Sequence, residues 1–369
     1  MKKIISVLLC AVLLLNCGVA MAAQTSTIQE DKAINVIIDG TPLKLSNVAV
    51  IKDKKLMLSA EILTGLGISK GNQVWDKSKT KLTLTKGKTK LLIQVNSSAA
   101  VLNGVKKTLS VKPFIYKSKA YFPVDFLADC FGEVMNKDSE TDTYFIKDKA
   151  SYNINKSLLD SVLKSMNSIS KLKEKEFADL SLSGNNVNIN LTAPVTTSMD
   201  IVSKKAVGSI DYKMNTNGTV SENKIQLAMA DNKQYAKVDQ GTWTQQDLSP
   251  EEFADDFSFN SMLKYDSAVL SGLNLTKGAK ADEKVLKGNV MIGSTLPNFL
   301  KSQNIDKNTV SAKYVEITIN KNYVSKIVLR EAGITDIKGL KFNFSVNYQM
   351  EFSDINGTFD VVLPDDLKQ

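Results

Sequence analysis

The stretch Val101–Ile146, VLNGVKKTLSVKPFIYKSKAYFPVDFLADCFGEVMNKDSETDTYFI, reads as strand, strand, short helix, strand, and an earlier segment echoes it. Val48–Lys54 lies over Pro113–Lys119, and Ala60–Gly67 lies over Asp125–Gly132. Asp39-Gly40 and Asn103-Gly104 hold the same place in the two copies. Such dipeptides between apolar alternations mark tight hairpins, because both residues tolerate positive φ. In each copy a short helix ends at a glycine, which supplies the left-handed stop. Pro123 suits the first turn of the second helix, where no amide hydrogen bond is lost. Phe126, Leu127, Cys130 and Phe131 then share one helical face.

The repeated signature is a D-G or N-G turn, an apolar strand, a K-x-K connector, an aromatic-proline step into a helix ending in glycine, and a following strand such as Trp75-Asp76-Lys77. On these residues the segment from about Ile34 to Ile146 resembles the copper amine oxidase N-terminal-like domain found in secreted proteins of Gram-positive bacteria. The resemblance implies an architecture and confers no oxidase chemistry. The chain has no histidine at all. That excludes Ser-His and Cys-His nucleophile pairs and metal sites built on imidazole, so no catalytic residue, metal or cofactor is expected. Ser-x-x-Lys pairs such as Ser161/Lys164 lack any accompanying S-D-N or K-T-G motif and read as chance.

The chain opens with Lys2 and Lys3, an apolar run from Ile4 to Leu15, and Ala20-Met21-Ala22-Ala23. That order is a secretory signal over residues 1–22, followed by a flexible lead-in over 23–33. Leu14-Leu15-Asn16-Cys17-Gly18 also reads as a lipobox, which would lipidate Cys17 and give peripheral membrane association. Cleavage after Ala22 leaves Cys130 as the sole thiol, so no intrachain disulfide is possible and core burial must hold the fold. The expected location is secreted or cell-envelope associated, in a Gram-positive-like setting. A formal charge of +8 is carried almost wholly by lysine, with Arg330 the lone arginine. Lysine point charges suit diffuse anions, whereas bidentate base or phosphate recognition favours arginine, so nucleic acid is not an expected partner.

Lys79, Lys81, Lys86, Lys88 and Lys90 fall in a strand-turn-strand pattern and read as one basic face of a hairpin, either an anion-binding ribbon or a solvated surface. The polar run Lys147–Asn155 marks a boundary between domains at 34–149 and 150–369. A helix follows from about Asn155 to Lys173, with Leu158, Leu159, Val162, Met166, Ile169 and Leu172 as its apolar stripe. Beyond it lies a meander of strands with Asn217-Gly218 and Asp231-Asn232-Lys233 turns, a helix capped by Ser249, a further helical piece at 296–303, and a last strand at Thr358–Leu363. The leading helix, Gln234–Val238 with Gly241-Thr242-Trp243, and the end from Phe352 to Pro364 resemble the bacterial lipoprotein-carrier superfamily. That resemblance implies an incomplete barrel over an apolar cavity. Phe253, Phe257, Phe259, Leu263, Trp243 and Tyr235 would line it; the alternative is a filled core.

The expected fold is therefore α+β, a small repeated strand-helix antiparallel domain followed by a curved antiparallel sheet with packed helices. The expected function is that of a non-enzymatic exported envelope protein binding an apolar or amphiphilic ligand such as a lipid. The alternative is a wall-associated module that binds anionic cell-wall polymers through its lysines.

Overall fold

A computed structural model describes residues 34–43, 49–138, 143–259, 265, 267–290, 310–337 and 340–367. The signal segment 1–22, the lead-in 23–33, Cys17, Leu263 and the helical piece at 296–303 lie outside the described residues. The chain divides into two units. One holds the described residues up to Ile154 together with Ser267–Gly272, and the other holds Asn155–Asp266 and the chain from Leu273 onward.

The first unit contains β1 (Asn35–Ile38), β2 (Thr41–Pro42), β3 (Ala49–Lys52), β4 (Lys55–Ser59), β5 (Gln73–Trp75), β6 (Lys81–Lys86), β7 (Thr89–Gln94), β8 (Ala99–Leu102), β9 (Val105–Thr108), β10 (Phe114–Tyr116), β11 (Lys119–Pro123), β12 (Glu133–Asp138) and β13 (Thr143–Asp148). They form three sheets, ordered β12-β13-β1-β2, β10-β11-β4-β3 and β5-β6-β7-β8-β9. The tight turns sit where the dipeptides place them. Asn103 and Gly104 take φ of 48° and 84°, and Leu102 pairs directly with Val105 across them. Short helices Ala60–Thr64 and Val124–Cys130 follow β4 and β11 and press Ile62, Leu63, Val124 and Leu127 into one core with Phe122, Leu82 and Ile93. The first of these is a 3-10 turn and the second an α-helix. The expected all-antiparallel pattern fails at one place, since β1 pairs with β13 in parallel. A parallel pair needs a long crossover, and the whole unit between these two strands supplies it.

The second unit is one 11-stranded sheet: β14 (Lys171–Gly184), β15 (Val187–Asp200), β16 (Lys205–Thr216), β17 (Thr219–Ala230), β18 (Lys233–Val238), β19 (Thr244–Asp247), β20 (Asn274–Lys277), β21 (Glu283–Asn289), β22 (Val310–Asn320), β23 (Tyr323–Ile337) and β24 (Leu340–Ser353). The order is β19-β18-β17-β16-β15-β14-β24-β23-β22-β21-β20, antiparallel throughout. Two meanders thus run outward from a central seam where the first and last strands meet.

Two local readings need correction. The leading helix spans Lys149–Met166, earlier than the apolar stripe implied, because the Asp148 carboxylate accepts from the Ser151 amide at 2.8 Å and caps it directly after β13. Leu172 consequently belongs to β14. Thr358–Leu363 forms no strand: β14 already pairs with β15 and β24 on its two edges. The tail is instead tied across a sheet face, where Lys171 Nζ donates to the Phe359 carbonyl at 2.9 Å and Lys237 pairs with Asp366 at 2.7 Å.

Phe122 is fully buried among the side chains of the first unit. Phe122→Ala is expected to cost about 3–5 kcal/mol of unfolding free energy, read by chemical denaturation. A loss below about 1 kcal/mol would contradict the core assignment.

Candidate functional site

Strand β14 begins Lys171-Leu172-Lys173-Glu174-Lys175-Glu176-Phe177. The period-2 pleat sends the lysines and Phe177 to one face and Leu172, Glu174 and Glu176 to the other. The register carries this division across the sheet. Glu174 lies opposite Thr197 of β15 and Phe352 of β24; Glu176 lies opposite Val195 and Met350. All four of these neighbours are buried, which makes this the inner face of the sheet.

Two carboxylates therefore stand in an apolar wall. Glu174 is 1% exposed and Glu176 5%. The Tyr348 hydroxyl, one pleat along β24, donates to Glu176 Oε2. Neither oxygen of Glu174 has a hydrogen-bond partner among the described residues. Burial pushes the Glu174 carboxyl well above the ordinary carboxylate range, and repulsion from Glu176 adds to it. Burial raises Glu176 too, partly offset by the Tyr348 hydrogen bond. Tyr348 itself is held well above the usual phenol value by burial and by the two glutamates. Glu331 of β23, 2% exposed and opposite Val346, is a further carboxylate on this face.

Beyond Glu176 toward the far ends of these strands apolar side chains line the inner face of β14, β15, β16 and β24, with Glu331 of β23 level with Leu180. Leu180 and Leu182 of β14, Ile189 of β15, Met214 of β16 and Phe344 of β24 line it, each half-buried and so still open to contact.

The residues singled out from the sequence are divided by the fold. Phe253 and Phe257, on the helix Pro250–Asp256, are buried with their rings 5.2 Å apart. Phe259 packs edge-on against Phe352 at 6.1 Å, which brings it beside the position of Glu174. Tyr235 and Trp243 belong to the opposite, outer face, since Tyr235 alternates with the inward Gln234 and Ala236, and Trp243 lies 5.8 Å from the ammonium of outward Lys237. Of the five hairpin lysines, Lys86 shares the inward register of Leu82 and Leu84 and is taken by the buried Glu133 carboxylate. Lys79 and Lys81 sit at one end of the hairpin and Lys88 and Lys90 at the other, roughly 17 Å away. Half-burial pushes the Cys130 thiol up to about 11, which keeps it protonated and unreactive at neutral pH.

Glu174, Glu176, Tyr348 and Glu331 were not anticipated. The signal was present in the Lys-Leu-Lys-Glu-Lys-Glu alternation, which puts glutamate on the leucine face. On the outer face Lys173, Lys175 and Lys224 border a groove of about 470 Å³ with Thr196, Ser198 and Ser209, closed on one side by Val362 and Pro364 of the tail.

The raised carboxyls set a pH dependence. Above its raised value Glu174 is ionised in both states and its burial destabilises the fold. As pH falls through that value the native state takes up a proton the unfolded chain does not, so stability rises until the ordinary value near 4.5 is reached. Urea denaturation from pH 8 down to pH 5 is expected to show rising stability in the parent and a flatter profile in Glu174→Gln. Parallel profiles would contradict a desolvated carboxyl.

Residues 37–146 match the family model of the copper amine oxidase N-terminal domain. None of the curated proteins compared matches the chain. Among solved structures, LprF from Mycobacterium bovis aligns at 12% identity and a TM-score of 0.33, over 57% of this chain and 97% of that one. The beta-barrel-like protein of domain of unknown function DUF1849 from Brucella abortus aligns at 11% identity and a TM-score of 0.19, over 51% and 100%. A DUF1329 family protein from Desulfovibrio piger aligns at 9% identity and a TM-score of 0.19, over 60% and 96%. These three are loose likenesses in shape, while the family-model match is one of sequence and covers residues 37–146 alone.

Proposed function

We propose that this chain is an exported, non-enzymatic envelope protein whose second unit holds an apolar or amphiphilic ligand, such as a lipid, on the inner face of its sheet. Export rests on the order of charge, apolar run and A-x-A site in residues 1–22. The observation that carries the binding is the row of half-buried apolar side chains, Leu180, Leu182, Ile189, Met214 and Phe344, on a face that also bears buried carboxylates. Each such side chain that loses a further ~40 Å² to a hydrocarbon chain contributes about 1 kcal/mol. Five together reach about 5 kcal/mol, a submillimolar hold before any polar contact. The boundary proposed with this reading leaves residues 34–149 as a separate module.

Native mass spectrometry of the purified protein is expected to show a co-purifying or added amphiphile. Leu182→Asp, which places a charge in the apolar row, is expected to weaken binding about tenfold or more. Binding unchanged by this substitution would remove the inner face as the site.

The outer groove supports a second reading, binding of an anionic wall polymer, because Lys175 and Lys224 lie beside it with no carboxylate partner among the described residues. A lysine-driven contact weakens steeply with salt. Retention on purified cell walls is expected to fall several-fold between low and high salt and to fall again in Lys175→Ala/Lys224→Ala; salt-independent retention would contradict it.

A further inference from the structure

A sheet face devoted only to hydrocarbon has no use for a carboxylate. Stripping water from an ionised glutamate costs several kcal/mol, and an apolar residue of similar size in the same place would stabilise the fold. Glu174 nevertheless sits 1% exposed with both oxygens lacking a hydrogen-bond partner among the described residues. Its nearest partners across the sheet are Thr197 and Phe352, neither of which brings a positive charge. Two residues along the same face Glu176 adds a second carboxylate, which accepts from the Tyr348 hydroxyl. Lys173 and Lys175, which flank Glu174 in the chain, leave the pleat on the other side, where Lys173 pairs with Asp354 at 2.7 Å. The inner face thus offers acceptors in excess of donors at one point, immediately beside a run of apolar side chains.

We infer that Glu174 and Glu176, with the Tyr348 hydroxyl, form a head-group site for a protonated amine, so that the ligand class is a cationic amphiphile with its hydrocarbon laid along Leu180, Leu182 and Phe344. This inference rests on the inner face being the binding surface proposed above. An ammonium group brings to the two carboxylates a positive charge and up to three N–H donors in one compact group. Bonds between ammonium and carboxylate are charge-assisted and gain strength where water is excluded. Selectivity follows from the same physics. An alcohol head donates one neutral hydrogen bond, and a carboxylate head meets two like charges in a dry wall. The geometry also fixes polarity along the strand, with the head at Glu174 and Glu176 and the chain extending toward the Gly184 end of β14.

The test compares dodecylamine, dodecanol and dodecanoate by isothermal titration at neutral pH, below the concentrations at which they form micelles. The amine is expected to bind at least about tenfold more tightly than the other two. Glu174→Gln/Glu176→Gln is expected to erase that advantage while leaving dodecanol binding within about twofold. Should the double variant fail to fold, Glu174→Gln alone, which keeps size and shape, is read in the same way. Equal binding of the three compounds, or an amine advantage that survives the substitution, would overturn the head-group site and leave the apolar surface standing. Binding of none of the three would instead overturn the apolar surface itself, and this inference with it.

Discussion

The pairing of β14 with β24 is the contact on which the second unit depends. These strands exchange partners over eleven residue pairs, from Lys173 opposite Ser353 to Ser183 opposite Asn343. One meander, β14 to β19, grows from one side of that seam and the other, β20 to β24, from the other side. Nothing else among the described strand pairings links the two halves. Because side-chain orientation has a period of two, a slip of one residue at the seam would turn Glu174 and Glu176 outward and bring Lys173 and Lys175 into the apolar wall. The lysine-glutamate alternation therefore specifies register as well as chemistry: one charge is tolerated facing water and the other is retained inside.

The price of that arrangement is visible in the carboxylates. Buried acidic groups oppose folding at neutral pH, and a scaffold built for stability alone would replace them. They stand on the same face as half-buried leucine, isoleucine, methionine and phenylalanine side chains. On the proposed reading, a cationic ligand that binds only the native state adds to its stability.

Much of this fold could be read from local sequence because its turns are local. Asp39-Gly40, Asn103-Gly104 and Asn217-Gly218 all adopt positive φ at both residues, as their residue types require, and each closes a pair of strands. The Ser249 cap formed with its Glu252 partner for the same reason, as both residues lie within one helical turn. Contacts between distant segments were not legible. That Glu174 faces Phe352, and that Glu176 meets Tyr348, is set by the seam between segments far apart in the chain. The assignment of Trp243 and Tyr235 to the same cavity as Phe259 failed to foresee the pleat, which puts them on opposite sides. The tail read as a strand because Val361, Val362 and Leu363 are apolar, yet hydrophobicity cannot supply the free edge that a strand needs.

The central claim is that hydrocarbon lies along the inner face of the second unit. A photoactivatable long-chain amphiphile, crosslinked to the purified protein and mapped by peptide mass spectrometry, tests it most directly. The account predicts adducts concentrated on inward residues of β14, β15 and β24, such as Leu180, Leu182, Ile189 and Phe344. Adducts confined to the outer groove around Ser198 and Ser209, or to strands of the first unit, would contradict it.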